Sequence, residues 1–321
     1  MRRSFFDVIR KEDDTPEDWF GHAKKFFDKG LDYYLLSENP NVTWKNVEDH
    51  PEMKWDFNAL SRNPSITWDI VEANPDRPWN YLWLSTNPSI SLETMATNPD
   101  KPWPHQFRFC EETNLFKIVS SRDHIYPGFV TSSRHPDITW EMVRAQPELP
   151  WDYDILSSHP NITFEHIKEN PDFPVCFCML AQNPNVTFRH VQENPDLPWF
   201  RDRFRYNPNM TWDIIQENPQ IDWKYYFLGE HPYITWDIIQ ANPDKDWYFP
   251  NVSKNPGITW DIVQANPQIQ WDYQSLSRNP SITWDIVSQN LHLPWNFVCL
   301  SGNPMSKHSF FQYKQLSYVL K

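Results

Sequence analysis

A chain of 321 residues with 39% hydrophobic and 16% aromatic content carries enough apolar surface for a core, which excludes disorder. Its formal charge of −13 opposes binding to phosphate backbones, because that task needs clustered Lys and Arg. No apolar run approaches the roughly 18 residues of a membrane-spanning helix, and Met1-Arg2-Arg3-Ser4-Phe5-Phe6-Asp7 lacks the apolar core of a signal peptide, so a soluble protein without a membrane partner is expected.

Residues 1–38 read as an N-terminal cap. Thr15 to Lys29 predicts a charged helix, and Leu31-Asp32-Tyr33-Tyr34-Leu35-Leu36-Ser37 is half of a unit that then recurs. From Asn39 the chain repeats every 24 residues, with starts at 39, 63, 87, 111, 135, 159, 183, 207, 231, 255 and 279. A fixed period of this size is the mark of a solenoid, in which each unit buries its apolar face only against its neighbours.

With Asn as position 1, the unit reads Asn-Pro-x-Ile-Thr-Trp-Asp-Ile-Val-x-x-Asn-Pro-Asp-x-Pro-Trp-Asp-Tyr-x-x-Leu-Ser-x. Thr at position 5 predicts a helix N-cap, and Ile at 4 with Val or Ile at 9 has the spacing of a hydrophobic staple. The acid at position 7 (Asp69, Glu93, Asp261) sits beside the positive end of the helix dipole. Asn-Pro at positions 12 and 13 ends that helix, because the residue before a proline is pushed out of the helical region. The acid at 14 and the Pro at 16 are read as the start of a second short helix, which carries the Trp at position 17, the Tyr at 19 and the Leu at 22. A β-solenoid is the competing reading of Ile-Thr-Trp-Asp-Ile, but it leaves the staple and the acidic cap positions unexplained.

Sixteen of the 18 Trp lie at positions 6 and 17, where Phe, Leu or Val substitutes; that tolerance points to packing. A row of aromatic platforms for bases or sugars is the functional alternative, and the acidity opposes it. The Asn at position 1 is expected to build a side-chain ladder along the array, with His135, His159 and His231 as turn-capping replacements. His166 and His190 share position 8 of adjacent units; a metal pair there lacks a third ligand at helical spacing. Cys110, Cys176, Cys178 and Cys299 follow no disulfide framework and are read as reduced thiols.

The pattern breaks twice. The unit at 111–134 loses both Asn-Pro signals and both Trp, and residues 104–134 are read as a decayed repeat, a kink or a binding insert. Trp199-Phe200-Arg201-Asp202-Arg203-Phe204-Arg205-Tyr206 is a dense Arg–aromatic cluster, either a local basic patch or arginines paired with acids of adjacent units. Asn303-Pro304 opens one more unit, which turns polar and basic as a C-terminal cap over 303–321. Gly-rich phosphate loops, Gly-x-Ser-x-Gly, His-Glu-x-x-His and Cys-x-x-Cys are all missing from the sequence, so no enzyme activity, cofactor or metal is expected.

The wording Asn-Pro-x-Ile-Thr-Trp-Asp, recurring across residues 39–302, resembles tandem repeats in proteins of giant amoeba-infecting DNA viruses of the mimivirus and marseillevirus type. The resemblance implies a viral origin and a place in the host cytoplasm, with packaging into the virion left open. It carries over no catalytic or binding residue.

The expectation is an all-α solenoid of short helical hairpins: a cap over 1–38, eleven repeats over 39–302 with 111–134 degenerate, and a cap over 303–321. Its expected role is a non-enzymatic scaffold for host or viral proteins. A virion structural component is the alternative, and a nucleic-acid reader the weaker one. Variable positions 3, 10, 20, 21 and 24 would hold the contacts; Trp83, Tyr226, Phe227 and Tyr233 are the large groups there, and Arg201, Arg203 and Arg205 form the basic candidate.

Overall fold

The computed structural model describes residues 16–111, 113–121, 133–149 and 151–305. They form an all-α repeat solenoid with two compact units. Among the described residues, one contains 16–65 together with 222–305, and the other runs from Ile66 to Ile221.

Each repeat begins with the turn that the proline punctuation predicts. Thr at position 5 is the N-cap of the first helix, accepting from the position-8 amide at Thr43, Thr139, Thr211, Thr235 and Thr283. Both staple residues are buried, as at Ile66 and Val71. The helix stops at position 12, where Asn74 and Asn242 leave the helical region with φ near −130°.

The second helix starts later than expected. Its N-cap is position 18, where Asp56, Asp152, Asp272 and Asn296 each accept from an amide three residues on. The acid at 14 and the Pro at 16 therefore lie in a turn and not in a helix. That turn is held by the indole at position 17, whose Nε1 donates to the position-12 carbonyl: Trp79 to Asn74 at 2.9 Å, Trp103 to Asn98 at 2.8 Å.

Packing between repeats is aromatic. The Trp at position 6 lies against the position-17 Trp of the next repeat, as Trp68 on Trp103 and Trp260 on Trp295, with ring centres 5.6 Å apart in both. The Tyr at position 19 meets the same indole edge-on, as Tyr81 on Trp103 and Tyr273 on Trp295. Such pairs add about 1 kcal/mol each beyond their buried area.

Two polar ladders run beneath these rings. The position-1 Asn is buried; Asn63 Nδ2 donates to the carbonyls of Ser37, Asn39 and Val42 at 2.9, 2.8 and 3.1 Å. Its Oδ1 accepts from the Ser65 amide at 2.8 Å, so one side chain satisfies four backbone groups. Asn183, Asn207, Asn255 and Asn279 repeat the three carbonyl bonds. In the second ladder the position-23 Ser hydroxyl accepts from the position-18 amide of the next repeat, as Ser37 from Asp56 and Ser277 from Asn296.

His135 and His159 take the Asn role with ring nitrogens. Nδ1 accepts from the Asp137 and Asn161 amides, which leaves the proton on Nε2 facing the carbonyls of Ile90 and His135. Burial pushes His159 down to about 4 and lowers His135 as well. The unfolded His159 keeps its ordinary value near 6.5, so below that pH the unfolded chain holds the extra proton. Stability is therefore full above roughly pH 6.5 and falls by about 3 kcal/mol as pH drops to about 4. Urea midpoints across this range should fall for the wild type, and His159→Asn should flatten the fall.

The unit at 111–134 keeps the serine rung at its end, where Ser133 Oγ accepts from the Asp152 amide at 2.9 Å, but its Asn ladder is interrupted. His135 bonds Ile90, 45 residues back, where a regular rung reaches 21. The repeat starting at 135 thus follows the one starting at 87 in the ladder. The displaced chain contains an antiparallel hairpin, β1 (His105–Cys110) and β2 (Leu115–Ser121), which turns at Asn114 with φ 53°. Gln146 replaces the usual position-12 Asn and pins β2, its Nε2 donating to the Ile118 carbonyl and its Oε1 accepting from the Ile118 amide, both at 3.0 Å. Residues 122–132 of this unit lie outside the described residues.

The described parts of the two expected caps meet within one unit. Asn39 Nδ2 donates to the carbonyls of Ser301 and Asn303 at 3.0 and 3.2 Å, and Asn41 Nδ2 to Pro304 at 2.8 Å. The Asp32 amide donates to Ser301 Oγ at 2.8 Å. These are the ordinary rungs between neighbouring repeats. Asn303 to Met305 thus open a repeat whose helices come from the other end of the chain, Pro16–Ala23 and Tyr33–Glu38. Phe26 stacks on Trp284 at 5.2 Å and tilts against Phe297 at 5.8 Å, as Trp295 does on Trp260 and Tyr273. Phe20 stacks on Trp55 at 5.8 Å in the role of a position-6 Trp. Polar capping residues over 1–15 and 306–321 lie outside the described residues.

Candidate binding surface

On the second helices, position 18 is the N-cap and position 21 is buried in most repeats, as Ala59, Ile155, Ser275 and Cys299 are. The regular pattern fails over three consecutive repeats. At position 23, Ala181, Arg205 and Gly229 stand where serine is usual, and the residues 19 further on, the separation of a serine rung, are Phe200, Lys224 and Tyr248 in place of a capping Asp or Asn. In all three the cap lost at position 18 is replaced by a large side chain.

In the unit that holds Asp222 onward, this produces an aromatic patch. Lys224, at φ 54°, leads into the short helix Tyr225–Leu228. Tyr226 and Phe227 are 38% and 40% exposed, with ring centres 5.0 Å apart. Tyr248, also 38% exposed, stacks on Tyr226 at 4.2 Å and 16°. The hydrogen bond between the two phenols raises the Tyr226 hydroxyl above its ordinary value, and nearby Asp246 adds to the effect. Asn251 Nδ2 donates to the Tyr226 carbonyl at 2.9 Å and fixes the helix beneath. Gly229 permits that approach, since a Cβ there would stand 2.7 Å from Val252 Cγ2. Tyr248 is the residue that sequence reasoning missed; the coupled change at positions 23 and 18 is the signal that marks it.

The remaining candidates part company. Tyr233 is half-buried and stacks on His231 at 5.2 Å. Trp83 is half-buried in the helix Tyr81–Leu84 of the other unit. In that unit Arg201 and Arg203 are exposed beside Phe200, which is 53% exposed. Arg205 is withdrawn from the basic patch. It is 5% exposed, donates to the Asp202 carbonyl and carboxylate at 2.8 and 3.0 Å, and lies over the Tyr206 ring. Asp202, an acid of its own segment, is one partner.

His166 and His190 each cap their own helix, accepting from the Thr163 and Thr187 amides, and each stacks on a ring of the preceding repeat, Trp140 and Phe164. Among the described residues, no group of three or more His, Cys, Asp or Glu is placed to hold a metal ion. A cleft of about 490 Å³ between Trp260, Pro267, Trp271, Tyr273 and Leu293 is lined mainly by the regular positions 6, 13, 17 and 19, the groups that also stack the repeats. Among the described residues, no helix is long and apolar enough to cross a membrane. No protein-family model, curated protein or solved structure matches this chain.

Proposed function

We propose that the chain is a non-enzymatic repeat scaffold that binds a protein partner through the outer side of its second helices, with Tyr226, Phe227 and Tyr248 as anchors. The observation that carries this reading is Tyr226 packed against both Phe227 and Tyr248, all three rings left exposed, with Tyr248 standing where the repeat ordinarily places a cap. Stacked tyrosines are stiff, lose little entropy on binding and offer both an apolar face and a hydroxyl, the features of interface hot spots. The repeat wording supports a viral origin and a host or viral partner met in the host cytoplasm.

Affinity capture from infected amoebae, with the wild type beside Tyr226→Ala and Tyr248→Ala, tests this. A defined partner should be recovered with the wild type, and each variant should weaken it by about 2 kcal/mol, some thirtyfold. Equal recovery by all three would sink the assignment of this surface, and stoichiometric amounts in purified particles would point instead to a structural component of the virion.

A further inference from the structure

Two departures from the repeat meet in the unit that runs from Ile66 to Ile221. In the repeat starting at 159, position 18 holds Cys176, where an Asp or Asn cap is usual, and position 20 holds Cys178. Cys176 caps nothing with its side chain. Its Sγ instead lies 3.0 Å from Cys178 Sγ, and both residues are half-buried and reachable from solvent. The backbone is held from below, since the Cys176 amide donates to Ser157 Oγ at 2.9 Å. Asp154, at position 20 of the preceding repeat, lies near the Cys176 thiol and adds to its hold on the proton. A chelated ion would need further ligands and would spread the sulfurs, whereas a disulfide draws them together.

We propose that Cys176 and Cys178 are a site of reversible oxidation, forming an intrachain disulfide by exchange with a low-molecular-weight disulfide. The Cys178 thiolate attacks one sulfur of the small disulfide; that S–S bond breaks, one small thiolate leaves, and a mixed disulfide forms on Cys178. Cys176 then gives its proton to the Asp154 carboxylate, attacks Cys178 Sγ and expels the second small thiolate. The cysteine pair is oxidised by two electrons, the small disulfide is reduced to two thiols, and the proton on Asp154 passes to water. The order follows from Cys176, whose thiol burial and the bond to Cys178 push up to about 11, so that it stays protonated until the second step.

The test equilibrates the full chain in mixtures of oxidised and reduced glutathione, quenches with acid, alkylates after unfolding and reads the peptide containing both residues by mass spectrometry. As the oxidised fraction rises, this peptide should lose two hydrogens and escape alkylation, while buried Cys299 stays alkylated; added dithiothreitol should reverse the change. Cys176→Ser, which supplies a good N-cap, should instead leave Cys178 as a glutathione adduct. The proposal falls if both wild-type thiols stay alkylatable at every ratio, or if the wild type accumulates the glutathione adduct without closing. The wild-type peptide decides even if the variant does not fold.

Discussion

Asn279→Asp should destabilise the chain by about 4 kcal/mol or more, although it exchanges one NH₂ for one oxygen. Asn279 is fully buried. Its Nδ2 donates to the carbonyls of Ser253, Asn255 and Ile258 at 3.0, 2.7 and 3.0 Å, and its Oδ1 accepts from the Ser281 amide at 2.9 Å. A carboxylate would set a negative oxygen against three carbonyl oxygens with no water to intervene. Protonating it restores one donor at most. Asn279→His should be far milder, about 1–2 kcal/mol, because a neutral imidazole keeps the turn bond and one carbonyl bond, as His159 does. Urea titrations followed by far-UV circular dichroism measure both. Equal losses for Asp and His would mean that the site reads side-chain size and not donor placement.

Phe26→Ala should cost about 3–5 kcal/mol, the range for removing a buried aromatic side chain. Phe26 is 5% exposed and fills the place of a position-17 Trp between Trp284 and Phe297. Its loss opens a cavity in the repeat that both chain ends build, so the damage should reach the last repeat as well as the first. Exposed Lys25, next to it in sequence, serves as the control, and Lys25→Ala should stay within about 0.5 kcal/mol. Thermal unfolding compares the two. If Phe26→Ala melts like the control, the N-terminal segment is a loose cover and not part of the stack.

The first helix of each repeat was legible in full because its signals are local: Thr, the acid and the Asn-Pro act within one turn of chain. The second helix was misplaced because an acid-x-Pro run caps a helix and builds a turn equally well. The choice is made by the bond from the position-17 indole to the position-12 carbonyl, which no spacing announces. The half-units at residues 31–37 and from Asn303 were also visible, but their joining rests on Asn39 reaching Ser301 and Asn303, 262 and 264 residues away. The hairpin at 105–121 shows how an array can keep its period while part of its chain pairs as strands in place of helices.

For the surface, Tyr226 and Phe227 followed from variable positions. Tyr248 did not, because position 18 reads as a cap until the missing serine at 229 is noticed. Arg205 shows the reverse failure: a side chain offered by sequence as a basic contact is turned inward to Asp202 and Tyr206.

The joining of the two chain ends is tested most directly by an engineered disulfide. A Cβ built on Gly302 lies 3.6 Å from Leu35 Cβ, close to the ~3.8 Å mean for cystine. Leu35→Cys combined with Gly302→Cys, oxidised in dilute solution, should give a monomer that runs faster on a non-reducing gel, reverts with reductant and melts higher than its reduced form. Each single variant should give neither change. If the double variant instead cross-links only between molecules, the two ends do not meet and the array has two free termini.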